Sequence, residues 1–224
     1  MTPYTLSRSN RKTVGLYVKN GALEVRAPAK MPKPDIDRFV KSKEKWIKEK
    51  LSQSCKRKEE REAFALNYGD SVMYRGAAYP VAARPGMRVG FDGKVFYLPQ
   101  GLAPDDIKYG AVQVYRLLAK RHLKERTAHF AGVMGVMPSA VKITGAKTRW
   151  GSCSTGKSLN YSWRLVMADD EVIDYVVVHE LAHITEMNHQ DRFWAIVEKV
   201  LPNYKELRAR LKELQKQLGS EDWD

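Results

Sequence analysis

The chain has little cysteine, and its two cysteines lie far apart. Cys55 and Cys153 stand alone among 224 residues, without the close spacing of a zinc ribbon or a redox pair. This spacing argues against a disulfide framework and against a metal site built from paired cysteines; Cys153 as a single metal ligand or as a nucleophile stays open. The amino terminus, MTPYTLSRSNRK, has no apolar segment typical of a secretory signal. We expect a cytoplasmic protein with reduced thiols.

Long hydrophobic runs are also missing. No apolar stretch approaches the roughly 18 residues that a transmembrane helix requires, so we expect no membrane partner. Hydrophobic residues make up 43% of the chain and charged residues 29%, a balance that favours a globular protein with a substantial core.

Acidic residues are outnumbered by basic ones, and the formal net charge is +13. Such an excess can indicate a nucleic-acid or nucleotide partner. The densest basic segment, residues 41–61, interleaves acids with bases, which favours a solvated helix face. Nucleic-acid binding stays open as an alternative, because charge by itself does not establish it.

Residues 1–101 predict a first domain. Apolar residues alternate on both sides of Asn20-Gly21, which is the signal of a tight hairpin turn. The predicted elements are a hairpin over 14–27, a helix over 35–62, and strands over 68–81 and 89–98 in a β-rich section.

Residues 102–224 predict a second domain that carries the chemistry. The predicted elements are a long helix over 104–131, strands over 141–144 and 159–165, a helix that begins near Asp169, and helices over 191–200 and 204–218. We expect the last residues, GSEDWD, to fray.

The most informative stretch is His179-Glu180-Leu181-Ala182-His183, followed by His189. Residues four apart on a helix share one face, so His179 and His183 can bind one metal ion. Glu180 lies close enough to activate water without being a ligand. With His189 as third ligand, the pattern is that of an open catalytic zinc site. The alternative is two ordinary half-buried histidines on an amphipathic helix.

Several neighbouring motifs carry a resemblance to a known family. They are Arg149-Trp150-Gly151-Ser152-Cys153, the segment Leu159–Leu165, the segment Val172–His183, and Met187-Asn188-His189 with Phe193-Trp194. Together they resemble the YgjP-like metallopeptidase domain family, which is related to the SprT and WLM proteases.

The resemblance implies an α+β fold with a zincin-like core: a support helix, a small sheet and an active-site helix bearing H-E-x-x-H. It also implies that His179, His183 and His189 are metal ligands and that Glu180 is the catalytic base. Glu186 stands where metzincins have glycine, so a metzincin-style turn is not expected here.

The polar segment 147–154 can line a substrate cleft. We predict substrate-binding roles for Arg149, Trp150, Ser152 and Arg164, with Arg149 binding a carboxylate or phosphate. The alternative is a structural loop anchored by Trp150. Cys153 is expected to be an inert thiol rather than a ligand or nucleophile.

The sequence therefore predicts a zinc-dependent hydrolase, with a metallopeptidase as the main hypothesis. Zinc lowers the pKa of its bound water and Glu180 accepts the proton. A peptide is expected to lie along an edge strand, which we assign to residues 159–165. Histidine ligands also suit Ni²⁺. The alternatives are a nucleotide (phosphoanhydride) hydrolase at the same site and a nucleic-acid-binding module with a structural metal.

Overall fold

The computed structural model describes residues 2–223 and shows a mixed α+β fold with three small sheets and six α-helices. The described residues divide into two compact units: residues 2–64 with 218–222, and residues 65–217 with 223. Within residues 2–223, no helix combines the length and the apolar character needed to cross a bilayer.

The predicted N-terminal hairpin is present in the first unit. Strands β2 (Gly15–Lys19) and β3 (Ala22–Pro28) pair antiparallel around Asn20 and Gly21. Both turn residues have positive φ, 50° and 77°, as a primed two-residue turn requires. Strand β1 (Thr5–Ser9), which the sequence did not predict, pairs parallel with β3.

Two helices stand where one was predicted over 35–62. Helix α1 spans Lys33–Ser42 and α2 spans Glu44–Glu62, with a break at Lys43, whose ψ of 13° departs from helical values. The break lets helices and sheet bury a common core, because each presents a short apolar face to it. The core consists of Leu23, Val25, Ala27, Ile36, Val40 and Ile47.

The second unit begins with a four-stranded sheet in the order β4-β5-β7-β6. Its strands are β4 (Ser71–Tyr74), β5 (Ala77–Arg84), β6 (Gly90–Phe91) and β7 (Phe96–Pro99). The strand predicted over 68–81 is thus two strands joined by a tight turn at Arg75-Gly76.

This sheet packs against elements from the second half of the chain. The Tyr115 hydroxyl donates to the carbonyl of Met73, and the Arg75 guanidinium donates to the Asp170 carboxylate. The contacts group the residues into compact units that divide near residue 64, and the domain boundary at residue 101 stays a sequence-based prediction.

Helix α3 (Pro104–Met134) is the long helix predicted over 104–131. Pro104 suits its first turn, where no backbone N–H partner is needed. Gly135 ends it with φ 65°, a left-handed conformation that glycine adopts at little cost. Helix α3 packs against helix α4 (Asp170–Ala182), which carries the H-E-x-x-H motif.

The third sheet lies beside the motif helix and has the order β8-β10-β9. Its strands are β8 (Ala140–Thr144), β9 (Gly151–Cys153) and β10 (Ser158–Ser162). The assignment of 159–165 to an edge strand is wrong. Strand β10 is central, and the chain turns into a 3₁₀ helix at Trp163–Met167 because those side chains are all buried. The strand at the sheet edge next to α4 is β9, which lies within the polar segment 147–154.

The motif helix α4 spans Asp170–Ala182, and α5 (Asp191–Val200) and α6 (Tyr204–Gln217) follow it. The carboxyl-terminal tail does not fray as predicted. Trp223 is buried, and its ring packs edge-on against Tyr115 and Trp163, because burying an indole ring outweighs the cost of ordering a short tail.

Candidate metal centre

Helix α4 begins at a side-chain cap and runs into the core. The Asp169 carboxylate accepts a hydrogen bond of 3.1 Å from the backbone N–H of Val172, which satisfies one free donor of the first turn. The helix is apolar on most sides, and Val176, Val177 and Val178 are buried. This burial holds His179 and Glu180 in defined positions at the end of the helix.

The three histidines of the motif come together. One ring nitrogen from each of His179, His183 and His189 lies within 4.8 Å of the other two. His183 follows the last helical residue, and His189 returns from the segment between α4 and α5. The Nε2 atoms of His179 and His189 lie 3.1 Å apart. The last turn of helix α4 and its C-cap residue therefore supply two nitrogens, and the following segment supplies the third.

The second nitrogen of the His183 ring has a partner. Nδ1 lies 3.1 Å from the backbone carbonyl of Glu186 and must donate to it, since a carbonyl only accepts. Nε2 is then unprotonated and available to a metal. Asp191 is exposed at the start of α5.

Phe193 lies among the three imidazole rings and is fully buried. Its ring centroid is 4.8 Å from that of His179, 4.5 Å from His183 and 4.7 Å from His189. The sequence motifs include Phe193-Trp194, but no pattern showed that Phe193 would touch the site. Because the Phe193 ring contacts all three imidazole rings, it restricts their rotation.

Burial keeps His179 and His183 neutral. It lowers the pKa of His179 to about 3, with further lowering from His183 and His189. The pKa of His183 is also lowered, mainly by burial and despite its bond to the Glu186 carbonyl. Neutral imidazole is the form that binds a metal ion.

Glu180 lies in the same cleft but outside the cluster of nitrogen donors. Its side chain is buried, and burial raises its pKa to about 7, against an opposing effect of Arg149. The carboxylate packs onto strand β9 at Gly151. A Cβ atom at Gly151 would lie 2.6 Å from Oε1 of Glu180. The glycine therefore makes room for the carboxylate.

The cleft around these groups measures about 290 Å³. Its lining residues are Gly151, Ser152, Cys153, His179, Glu180, His183, Met187 and His189. Cys153 faces the cleft without joining the metal-donor cluster. Burial and, secondly, the Glu180 charge raise the pKa of its thiol, which disfavours the reactive thiolate.

The four predicted substrate-binding residues separate into two groups. Ser152 lines the metal cleft, and Ser152 and Arg149 both line an adjoining polar cavity. Trp150 and Arg164 line neither of them. Arg164 is buried, donates to the carbonyl of Gly145 at 3.1 Å and stacks on the Trp163 ring. These contacts stabilise the loop at Gly145.

Sequence reasoning missed the role of Gly151. A glycine inside a short strand often marks close approach of another group, and the run Trp150-Gly151-Ser152 carried that signal. The identity of the approaching group, Glu180, required the three-dimensional packing.

Comparisons with known proteins found partial structural similarity. Functionally curated proteins gave no match. The metallopeptidase zymogen abylysin of Pyrococcus abyssi is 25% identical, with a TM-score of 0.38 over 40% of this chain and 90% of that one. The metallopeptidase zymogen jannalysin of Methanocaldococcus jannaschii is 24% identical, with a TM-score of 0.37 over 42% and 96%. Similarities with TM-scores this low carry no argument about this chain.

The match to a family is much more extensive. The model of the YgjP-like metallopeptidase domain covers residues 12–214, which includes every residue of the candidate metal centre. The resemblance seen in the sequence motifs is confirmed by this match. The chain belongs to the YgjP-like metallopeptidase domain family.

Proposed function

We propose that this protein is a zinc-dependent peptidase in which His179, His183 and His189 hold the metal and Glu180 is the general base. One observation carries the proposal. Three histidine nitrogens converge within 4.8 Å, and a buried carboxylate that is not among these donors lines the same cleft.

The donor set fits a metal ion. Two ligands bound at about 2.0–2.1 Å to a tetrahedral zinc lie about 3.3 Å apart, and the Nε2 atoms of His179 and His189 are 3.1 Å apart. His183 directs its own proton to Glu186. Without a metal, one of the His179 and His189 rings can donate its Nε2–H to the other; a bound cation would take the lone pair of each. Three neutral nitrogen ligands suit Zn²⁺, and also Ni²⁺.

When bound, zinc supplies a Lewis acid that polarises the scissile carbonyl and acidifies water. Glu180 accepts a proton from the attacking water and later delivers it to the leaving amine. Its carboxylate is held between helix α4 and Gly151, so it is positioned before substrate arrives. The buried surroundings limit competing water and strengthen the interaction of Glu180 with the reacting groups.

The free edge of strand β9 suits a peptide substrate. Strand β9 pairs with β10 on one side only, and its residues Gly151 and Ser152 line the metal cleft. An extended peptide that adds to this edge by backbone hydrogen bonds would run past Glu180. Strand β10, which is central in the sheet, has no free edge for this purpose.

A phosphoanhydride hydrolase remains the second candidate. Arg149 lines a cavity next to the metal cleft, and a guanidinium group binds phosphate as well as carboxylate. The nucleic-acid alternative gains no support from the site, because a purely structural metal does not need a buried carboxylate beside it.

An activity screen with and without added zinc tests the proposal. Peptides, unfolded proteins and nucleoside triphosphates are offered to the wild type and to Glu180→Gln. The variant keeps its shape but cannot accept the proton, so peptide cleavage should fall about 10²- to 10⁴-fold with zinc content unchanged.

Glu198→Gln is the matched control, since Glu198 is an exposed residue of α5. It should cleave like the wild type. Full activity of Glu180→Gln would remove the general base from the proposal. Zinc bound equally well by His179→Ala, measured by elemental analysis, would remove the metal site.

A further inference from the structure

A polar cavity of about 370 Å³ adjoins the metal cleft. Gly151 and Ser152 of strand β9 line both spaces, so the edge strand is their common boundary. The other lining residues are Thr144, Ala146, Arg149, Asn160 and Ser162. Hydroxyl and amide groups dominate this lining, and nothing in the metal chemistry described above uses them.

The cavity lies on the polar face of the third sheet. Ser152 is opposite Asn160 in the register of β9 and β10, and Thr144 is opposite Ser162 in that of β8 and β10. Leu159 and Tyr161, which alternate with these residues along β10, are buried on the other face. A peptide that runs along β9 directs every second side chain toward the polar face.

Arg149 gives the cavity its charge. It is the one charged residue of the lining, and it makes no hydrogen bond or ion pair with the residues from 2 to 223. Two more guanidinium groups border the adjoining loop: Arg164 donates to the Gly145 carbonyl, and a Cβ atom at Gly145 would lie 3.2 Å from Nη2 of Arg116. The lining itself contains no carboxylate, although the charge of Arg149 also acts on Glu180 in the adjoining metal cleft.

We propose that the cavity is a specificity subsite that binds a carboxylate of the peptide substrate through Arg149, with the hydroxyl of Ser152 and the amide of Asn160 beside it. The inference rests on the proposed peptidase function and adds its substrate class: peptides with an acidic residue, or a free carboxyl terminus, near the scissile bond. Arg149 is the one guanidinium in the lining itself and matches the single charge of a carboxylate, whereas a nucleoside triphosphate would bring several charges.

The first experiment uses the zinc-loaded full chain and a randomised peptide library, with cleavage sites identified by mass spectrometry. Half of the library is amidated at its carboxyl terminus. The wild type should favour Asp or Glu at one position relative to the cleaved bond. If the terminal carboxylate is what binds, the preference should instead be for free carboxyl termini, and amidation should abolish it.

The second experiment compares kcat/KM for peptide pairs that differ only as Glu against Gln, or as acid against amide, at the preferred position. Loss of a charged hydrogen bond weakens binding about 10- to 100-fold, so Arg149→Gln should reduce the acid-to-amide ratio of kcat/KM by that factor. Any loss caused by the effect of Arg149 on Glu180 is common to both peptides and cancels in this ratio. Lys212→Gln removes an exposed positive charge from α6 and should retain the preference.

The outcomes distinguish the two proposals. Peptide cleavage without an acidic preference, or with a preference that Arg149→Gln retains, overturns the subsite and leaves the peptidase intact. Cleavage of nucleoside triphosphates and of no peptide overturns both. Binding gives an independent readout: with the inactive Glu180→Gln protein, the acidic peptide should bind about 10-fold more tightly than its amide partner, and adding Arg149→Gln should remove the difference.

Discussion

Gly151 shows, at the scale of single residues, how backbone space controls the proposed base. The Glu180 carboxylate packs against this strand residue, and burial of the carboxylate raises its pKa to about 7. The three histidines are recognised by their spacing, while the glycine acts only by lacking a side chain.

Replacing Gly151 with alanine should impair turnover more than metal binding. The new Cβ would meet Glu180 Oε1 and Cγ at 2.6 Å, so the carboxylate must move. A displacement of about 1 Å in a catalytic group can cost about 10²-fold in rate. We expect Gly151→Ala to lose about 10- to 100-fold in kcat and to keep its zinc. Kinetics on a peptide substrate and zinc analysis measure the two quantities.

Gly156→Ala is the control for this substitution. Gly156 lies in the turn between β9 and β10, and the nearest atom to its added Cβ would be Ser154 Oγ at 3.8 Å. It should behave as the wild type. Wild-type turnover in Gly151→Ala would show that the carboxylate has room to move without consequence.

At the scale of elements, ion pairs fasten the motif helix α4 to its neighbours. Arg126 of α3 donates to the two carboxylate oxygens of Asp174 through Nε and Nη2, at 2.6 and 2.7 Å. Arg75, from the turn between β4 and β5, reaches Asp170 in the first turn of α4. These pairs set the position of α4, and with it the position of His179 and Glu180.

His122 makes this junction sensitive to pH. Its Nε2 is buried on α3, 3.3 Å from Asp170 Oδ1 but without hydrogen-bond geometry. Burial, then Arg75, lowers its pKa below 6.5, while Asp170 and Glu125 oppose the shift and Arg126 adds to it. As the pH falls below 6.5, the unfolded chain takes up a proton that the folded chain refuses, so stability decreases.

His122→Gln should remove this part of the pH dependence. The difference in unfolding free energy between wild type and variant should shift against the wild type between about pH 7 and pH 5. Asp170 contributes at lower pH, because Arg75 lowers its pKa below 3.8. Urea denaturation at several pH values provides the measurement. His129→Gln, on an exposed site of the same helix, should parallel the wild type. A pH-independent difference for His122→Gln would contradict the assignment.

At the scale of the whole molecule, the chain forms two compact units with separate cores. All three proposed ligands lie in the second unit. Metal binding should therefore stabilise one unit and leave the other unchanged, because a ligand stabilises only the folded state that binds it.

Removing zinc should lower the unfolding temperature of the second unit alone. At free zinc about 1,000-fold above Kd, the stabilisation is about 4 kcal/mol. Calorimetry with zinc and with a chelator should resolve one transition that moves and one that does not. In His183→Ala neither transition should respond to zinc. A zinc effect of equal size on both transitions would show that the two units unfold as one.

The sequence by itself determined the elements whose signals are local. The hairpin at Asn20-Gly21, the Asp169 cap of α4 and the long helix from Pro104 all follow from turn chemistry, capping and periodicity. The convergence of His179 and His183 follows from helical spacing, and His189 lies close enough in the chain to reach them.

Only the tertiary structure decided which strand has a free edge and which residues meet across the fold. Strand β10 is central because β9, three residues long, lies beside it, and so short a strand leaves almost no alternation to recognise. The approach of Glu180 to Gly151 and the return of Trp223 to Tyr115 join residues distant in sequence. Such contacts depend on the packing of the whole core, which no local pattern encodes.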